Sequence, residues 1–227
     1  MIVRTLLFLS LLAFAPAAPW AMDMKVEGQS IVMSGPVTKT ECPALEALLA
    51  QNKVLGWFQG RMEFGPRALG ARSILASPID AAMQGHLNQI KDREDFRPVA
   101  PVVLEEEAAE WFVNGGPAPF MLFVFDVMED KVGRIPAVRH VDGTARVQTV
   151  ERAMAPRFHA LLEEVGKRTG IPVLLNTSFN LAGEPIVNRA VEAYSTFRRS
   201  GIDLLVCGLD VVSKRREAIG ATQEAVA

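Results

Sequence analysis

The chain has 227 residues, 49% of them hydrophobic and 22% charged, and 24 Lys and Arg against 26 Asp and Glu leave a formal net charge of −2. A chain of this length can bury a substantial core, and its balanced charge and 7% aromatic content give no sign of a nucleic-acid-coating protein or of a largely disordered chain. Two cysteines, Cys42 and Cys207, are too few for a disulfide framework or a four-cysteine zinc site.

In chain order, Met1 to Arg4 carries one positive charge, residues 5–14 are almost wholly apolar, and residues 15–21 are rich in small side chains. Residues 1–21 therefore read as a signal-peptide-like leader, since the apolar run is about half of the ~20 residues that span a bilayer. A misplaced start codon and a buried terminal strand stay open as alternatives. No second long apolar run follows, so no transmembrane span is expected in the mature chain. Residues 22–43 read as an N-terminal extension, residues 44–214 as one domain, and residues 215–227 as a flexible polar tail.

Residues 30–33 are expected as a short strand, Gly35-Pro36 as a turn, and Leu45, Leu48 and Leu49 as one face of a helix. Residues 54–58 read as the next strand. Residues 64–70 (FGPRALG) hold two glycines and a proline, which predicts an irregular loop that keeps Arg67 in a fixed orientation. Residues 105–113 suit a short helix with an acidic start, 120–127 (FMLFVFDV) a buried strand, and 135–150 a strand pair around Asp142-Gly143. Phe158, Leu161, Leu162 and Val165 form a helical stripe within 153–169, with Gly170 as the stop. Residues 171–175 read as a buried strand running into Asn176-Thr177-Ser178-Phe179-Asn180. Residues 191–199 read as the last main helix and 204–207 as the last core strand. Short apolar runs alternating with amphipathic stretches place the chain in the α/β class.

Polar residues at the ends of these elements carry whatever chemistry there is. Arg67 sits in the Gly/Pro loop, Lys91 and Arg97 bracket KDREDFR, Arg146 follows Gly143-Thr144, and Asn176, Ser178 and Asn180 leave an apolar strand. Arg binds phosphate oxygens through a planar fork and Lys through a compact charge, so these groups would cradle a polyphosphate if they converged. Taken singly, an isolated Arg or a mixed-sign run is more often a solvated face or a surface ion pair, and Asn176 to Asn180 is more often a turn. The histidines His86, His140 and His159 show no metal spacing, and His159, beside a helical apolar stripe, reads as structural. His140 with Asp142 suits acid–base chemistry or a polar hairpin tip. The sequence has no GxxxxGK[ST], GxGxxG or GxSxG, which excludes Walker, Rossmann and nucleophile-elbow sites. Spacing alone thus ends at an α/β domain with an anion site as one open reading.

The residues themselves go further. VLGWFQGRMEFGPRALGARSIL (54–75), FRPVAPVVL (96–104), VRHVDGTARVQTV (138–150) and IPVLLNTSFNLAGEPIV (171–187) together resemble the C-terminal domain of the O-carbamoyltransferases. That family includes the nodulation carbamoyltransferase NodU and enzymes that carbamoylate antibiotics, and the likeness runs from about 45 to 214 in order. It implies a YrdC-like fold, a twisted mixed sheet with flanking helices and a basic cleft. It implies formation of carbamoyl adenylate from carbamoyl phosphate and ATP, with Mg²⁺ accompanying the triphosphate. A separate metal-binding domain similar to Kae1 would pass the carbamoyl group to a hydroxyl or amine.

Carried onto matching positions, the resemblance makes Lys91, Arg97, Arg146 and Ser178 the catalytic group. It makes Arg67, Thr144, Asn176, Asn180 and His140 the substrate- and nucleotide-binding group, with no metal site of the chain's own. The transfer domain is expected on a partner, and DNA is not expected as one. The leader argues for export and the substrates for the cytoplasm, so location stays open. A non-catalytic module that binds a nucleotide, an RNA or a protein through the same cleft is the competing reading.

Overall fold

The computed structural model describes residues 53–208 and 210–213. The expected leader, the strand at 30–33, the turn at Gly35-Pro36, the helix at Leu45 to Leu49, Cys42 and the tail lie outside them.

Seven strands form one mixed sheet: β1 (Leu55–Phe58), β2 (Arg72–Ala76), β3 (Ala100–Leu104), β6 (Gln148–Val150), β7 (Val173–Ser178), β8 (Leu204–Cys207) and β9 (Asp210–Ser213). Their order across the sheet is β6-β3-β7-β2-β1-β8-β9, with β3–β6 and β1–β8 parallel and the other pairs antiparallel. The helices are α1 (Met83–Ile90), α2 (Ala108–Trp111), α3 (Pro156–Thr169) and α4 (Ala190–Arg199), and a small ladder pairs β4 (Phe125–Asp126) with β5 (Thr144–Ala145). Among the described residues, no helix is long and apolar enough to cross a membrane.

The period of two in each strand divides the core. Leu55, Trp57, Leu75, Val102, Leu104, Leu174, Leu204 and Val206 pack with Phe158, Leu161, Leu162 and Val165 of α3 on one face. Val54, Ile74, Ala76, Val103, Val173, Leu175, Leu205 and Cys207 pack on the other with Leu87 of α1, Trp111 of α2 and Phe197 of α4. A sheet covered on both faces needs strands that are apolar on both sides, which is why they read as continuous runs. Each fully buried Leu or Phe contributes about 1.5–3 kcal/mol from burial. Gly170 ends α3 in the left-handed conformation, φ +69°, as the sequence predicts.

Two expectations need correction. Residues 120–127 are not a buried strand: Phe120, Leu122, Phe123 and Val124 are exposed, and only Phe125–Asp126 is extended. The neighbouring edge of the large sheet is β6, where Thr149 N donates to Ala118 O and Ala118 N to Thr149 Oγ1, so the chain bends away before residue 120 instead of adding a strand. Residues 135–150 do not form a hairpin either. β5 pairs with β4, β6 pairs with β3, and Pro136–Val138 is a 3-10 turn. Strands β2, β3 and β9 and helix α1 were not among the sequence expectations.

A candidate anion cleft at one end of the sheet

Strand direction gathers the polar residues. Ser73 faces Ser178, Ala100 faces Asn176 and Val102 faces Gln148, so the starts of β2, β3 and β6 and the end of β7 share one end of the sheet. Arg67 precedes β2, Lys91, Arg93 and Arg97 precede β3, Arg146 precedes β6, and Asn180 follows β7.

At the centre is Lys91, 5% exposed, the residue after α1. Its Nζ donates to Ser178 O (2.5 Å), Ser178 Oγ (3.3 Å), Asn180 O (2.9 Å) and Asn180 Oδ1 (3.0 Å). Ser178 Oγ in turn donates to Asn180 Oδ1 at 2.7 Å. Burial, and then the Arg93 charge, push the Lys91 ammonium down to about 7. No carboxylate contacts Lys91 among the described residues.

Around it the arginines form a coupled set. Arg67 acts on Arg146, Arg146 and Arg97 act on Arg93, and Arg93 acts on Lys91. Burial first, and then Arg67, lower the pKa of Arg146; burial, then Arg97, lower that of Arg93. The Arg146 side chain makes no hydrogen bond or ion pair among the described residues, and its Nε is buried without a partner. Arg93 Nε donates to Asn88 Oδ1 at 2.6 Å, while one of its terminal nitrogens, Nη2, is buried and unpartnered. Like charges held together with unused donors gain most from an anion that supplies the missing acceptors.

Asn176 and Gln148 build the wall beside them. Asn176 Nδ2 donates to Gln148 Oε1 (2.6 Å) and Ala68 O (3.1 Å), and Gln148 Nε2 donates to Leu69 O (2.8 Å). Asn176 Oδ1 is buried without a partner. A cavity of about 880 Å³ opens at the same end on the α3 face, lined by Trp57, Phe158, Phe120, Met154, Gln148 and Glu63 among others. Lys91, Arg93 and Arg146 stand outside its wall, and the cavity meets the Asn176 wall at Gln148.

The expected residues thus sort unevenly. Lys91, Ser178 and Asn180 touch one another, Arg67 and Arg146 are electrostatic neighbours, and Asn176 stands in the wall. Arg97 lies at the rim, about half exposed and 2.6 Å from Glu94. His140 and Thr144 belong to a turn: His140 Nδ1 lies 3.0 Å from Thr144 Oγ1, which donates to Asp142 Oδ1 at 2.7 Å. That network stabilises the turn, and among the described residues neither His140 nor Thr144 bonds Lys91 or Ser178. His159 is buried and bonds Glu106 at 2.7 Å, as a structural histidine does. Arg93 and Gln148 are the residues that spacing did not single out. The available signal for Arg93 was its place two residues after Lys91; what selects it is Asn88, five residues back on α1.

The family described as "Carbamoyltransferase C-terminus" matches residues 46–214. Nodulation protein NolNO of Sinorhizobium fredii (strain NBRC 101917 / NGR234) is 45% identical over 201 residues, 85% of this chain and 30% of that protein. The 3'-hydroxymethylcephem-O-carbamoyltransferase of Amycolatopsis lactamdurans is 39% identical over 197 residues, 85% of this chain and 38% of that protein. Full-length HypF in the phosphate- and nucleotide-bound form matches at TM-score 0.52 and 19% identity, over 80% of this chain and 22% of that one. P. abyssi Sua5 complexed with L-threonine matches at TM-score 0.53 and 13% identity, over 78% of this chain and 49% of that one. The two structures show the fold, a YrdC-like mixed sheet with flanking helices. The chain spans 30% and 38% of the length of the two curated relatives.

Proposed function

Because the chain belongs to the carbamoyltransferase C-terminal family, we propose that it forms carbamoyl adenylate from carbamoyl phosphate and ATP. A Kae1-like metal-binding domain would carry the acceptor site, and the relatives are long enough to include one beside the region matched here. The observation that carries the reading is a buried lysine amid coupled arginines with unused donors, Arg146 Nε and an Arg93 nitrogen.

In this reading the phosphate of carbamoyl phosphate takes Lys91, Arg93 and Arg146, and the triphosphate takes Arg67 and Arg97 at the open side. Ser178, Asn180 and Asn176 supply hydroxyl and amide groups for the neutral carbamoyl end. Thr144 and His140 shape the turn that delivers Arg146. Water adds to the carbamoyl carbon, its C–O bond to phosphate breaks, and phosphate and carbamate result. A carbamate oxygen then attacks the α-phosphorus, the α–β anhydride bond breaks, and pyrophosphate leaves with the electron pair. Two anions meet in that step, and cations already in place stabilise the charge that builds without reorganising. The cleft's donors are cations and amides rather than carboxylates, so Mg²⁺ fits as the companion of the triphosphate. The adjoining cavity offers room for the nucleoside.

The test is pyrophosphate release from ATP and Mg²⁺ by the full chain, with and without carbamoyl phosphate. Release that needs both substrates and is lost in Lys91→Ala is expected; release indifferent to carbamoyl phosphate or to Lys91→Ala overturns the reading.

A further inference from the structure

We propose that Glu63 is a positioning residue for the cleft, fixing the 64–70 loop so that Arg67 is held beside the Asn176 and Gln148 wall; this rests on reading the cleft as a phosphate site. Residues 59–71, between β1 and β2, hold no helix or strand, and Gly60, Gly65 and Gly70 adopt positive φ. A stretch like this has no ladder of its own, so specific bonds must order it.

Glu63 supplies them. Its Oε1 accepts from the backbone N–H of Leu69 (2.8 Å), Ala71 (2.5 Å) and Arg72 (3.3 Å), closing the chain on itself with Arg67 inside the closed loop. An ionised carboxylate accepting backbone N–H groups makes stronger bonds than a neutral acceptor. The far side of the same loop is held by the cleft wall, where Ala68 O accepts from Asn176 and Leu69 O accepts from Gln148. Gly70 O accepts from Trp57 Nε1 at 2.8 Å.

Arg67 makes no hydrogen bond or ion pair among the described residues, yet its charge is felt at Arg146. Two like charges kept near each other drift apart unless the backbone beneath them is fixed, and Glu63 ties the loop that carries Arg67 from the side opposite Asn176 and Gln148. Glu63 is not itself placed as a phosphate contact. A carboxylate repels phosphate; its Oε1 accepts from three amides, its charge stabilises the Arg72 guanidinium, and its Oε2 is buried without a partner.

The experiment is calorimetric titration with inorganic pyrophosphate of the wild type, Arg67→Ala, Glu63→Ala and the double variant, all as the full chain. Glu63→Ala is expected to weaken pyrophosphate about tenfold, as much as Arg67→Ala does, and the double variant to be no weaker than Arg67→Ala alone. Glu63→Gln, which keeps a carbonyl acceptor, recovers most of the affinity. Should Glu63→Ala not fold, Glu63→Asp, whose shorter arm separates the same bonds, is measured in both backgrounds with the same expectation. Unchanged affinity in a folded Glu63→Ala, or losses that multiply in the double variant, overturns the positioning role alone. A wild type that does not bind pyrophosphate overturns the phosphate-site reading beneath it.

Discussion

Lys91 is the cleft cation that changes charge nearest neutrality, since burial and then Arg93 lower it to about 7. In the free protein it is about 90% protonated at pH 6 and about 10% at pH 8. A bound dianion favours the ammonium, so binding takes up about 0.1 proton at pH 6 and about 0.9 at pH 8. The sign follows for affinity: it is greatest below pH 7 and falls above it, by up to tenfold, or about 1.4 kcal/mol, per pH unit. Sulfate is the suitable probe because it stays a dianion over this range and only the protein titrates. Titration calorimetry at pH 6 and 8, in buffers of different ionisation heat, reads the proton uptake directly. Lys91→Met is expected to abolish it. Uptake below about 0.3 proton at pH 8, or equal uptake in Lys91→Met, refutes the argument. The same lowered pKa makes the free fold gain stability as pH rises from about 7 toward the ordinary lysine value of 10.5, where the unfolded chain holds the proton and the fold does not.

Three further outcomes are expected. Arg93→Ala and Arg146→Ala each weaken pyrophosphate by about 10- to 100-fold, the worth of a charged hydrogen bond; urea unfolding changes little in Arg146→Ala, whereas Arg93→Ala also loses about 1–3 kcal/mol because the buried Asn88 Oδ1 is left without its donor, and unaltered affinity in either refutes its place in the cleft. Gly70→Ala is destabilising by about 2–5 kcal/mol in urea unfolding, because φ is +112° and a Cβ would lie 2.2 Å from Phe158 Cδ1; a loss under about 1 kcal/mol refutes the clash. Burial, and then Asp210, push the Cys207 thiol up to about 11 from 9.0, so in a Cys42→Ser protein at pH 8 its alkylation by iodoacetamide is about a hundredfold slower folded than unfolded, and equal rates refute it.

Local pattern determined much of this protein. The α3 stripe, the Gly170 stop, the strands β1, β7 and β8, and the irregular loop of Arg67 all follow from periodicity and from glycine and proline, which act within a few residues. The same locality explains the failures. FMLFVFDV is apolar enough for a core strand, yet a strand needs a free neighbour, and the bend after Ala118 leaves it only β5 and a single bridge from Val127 to Phe112. β2 and β3 lack a clear local signature, and their place beside β7 is decided by pairing across the sheet. The cation cluster depends on strand order most of all. Which charges of KDREDFR turn inward is decided by Asn88, Ser178 and Asn180, which hold Arg93 and Lys91, while Glu94 keeps Arg97 at the rim. Lys91 and Ser178 are 87 residues apart in sequence. Residue types alone named most of the cleft's cations and amides, and only the folding of β2, β3, β6 and β7 to one common end decided which of them meet, because no window of neighbouring residues encodes the order of strands in a sheet.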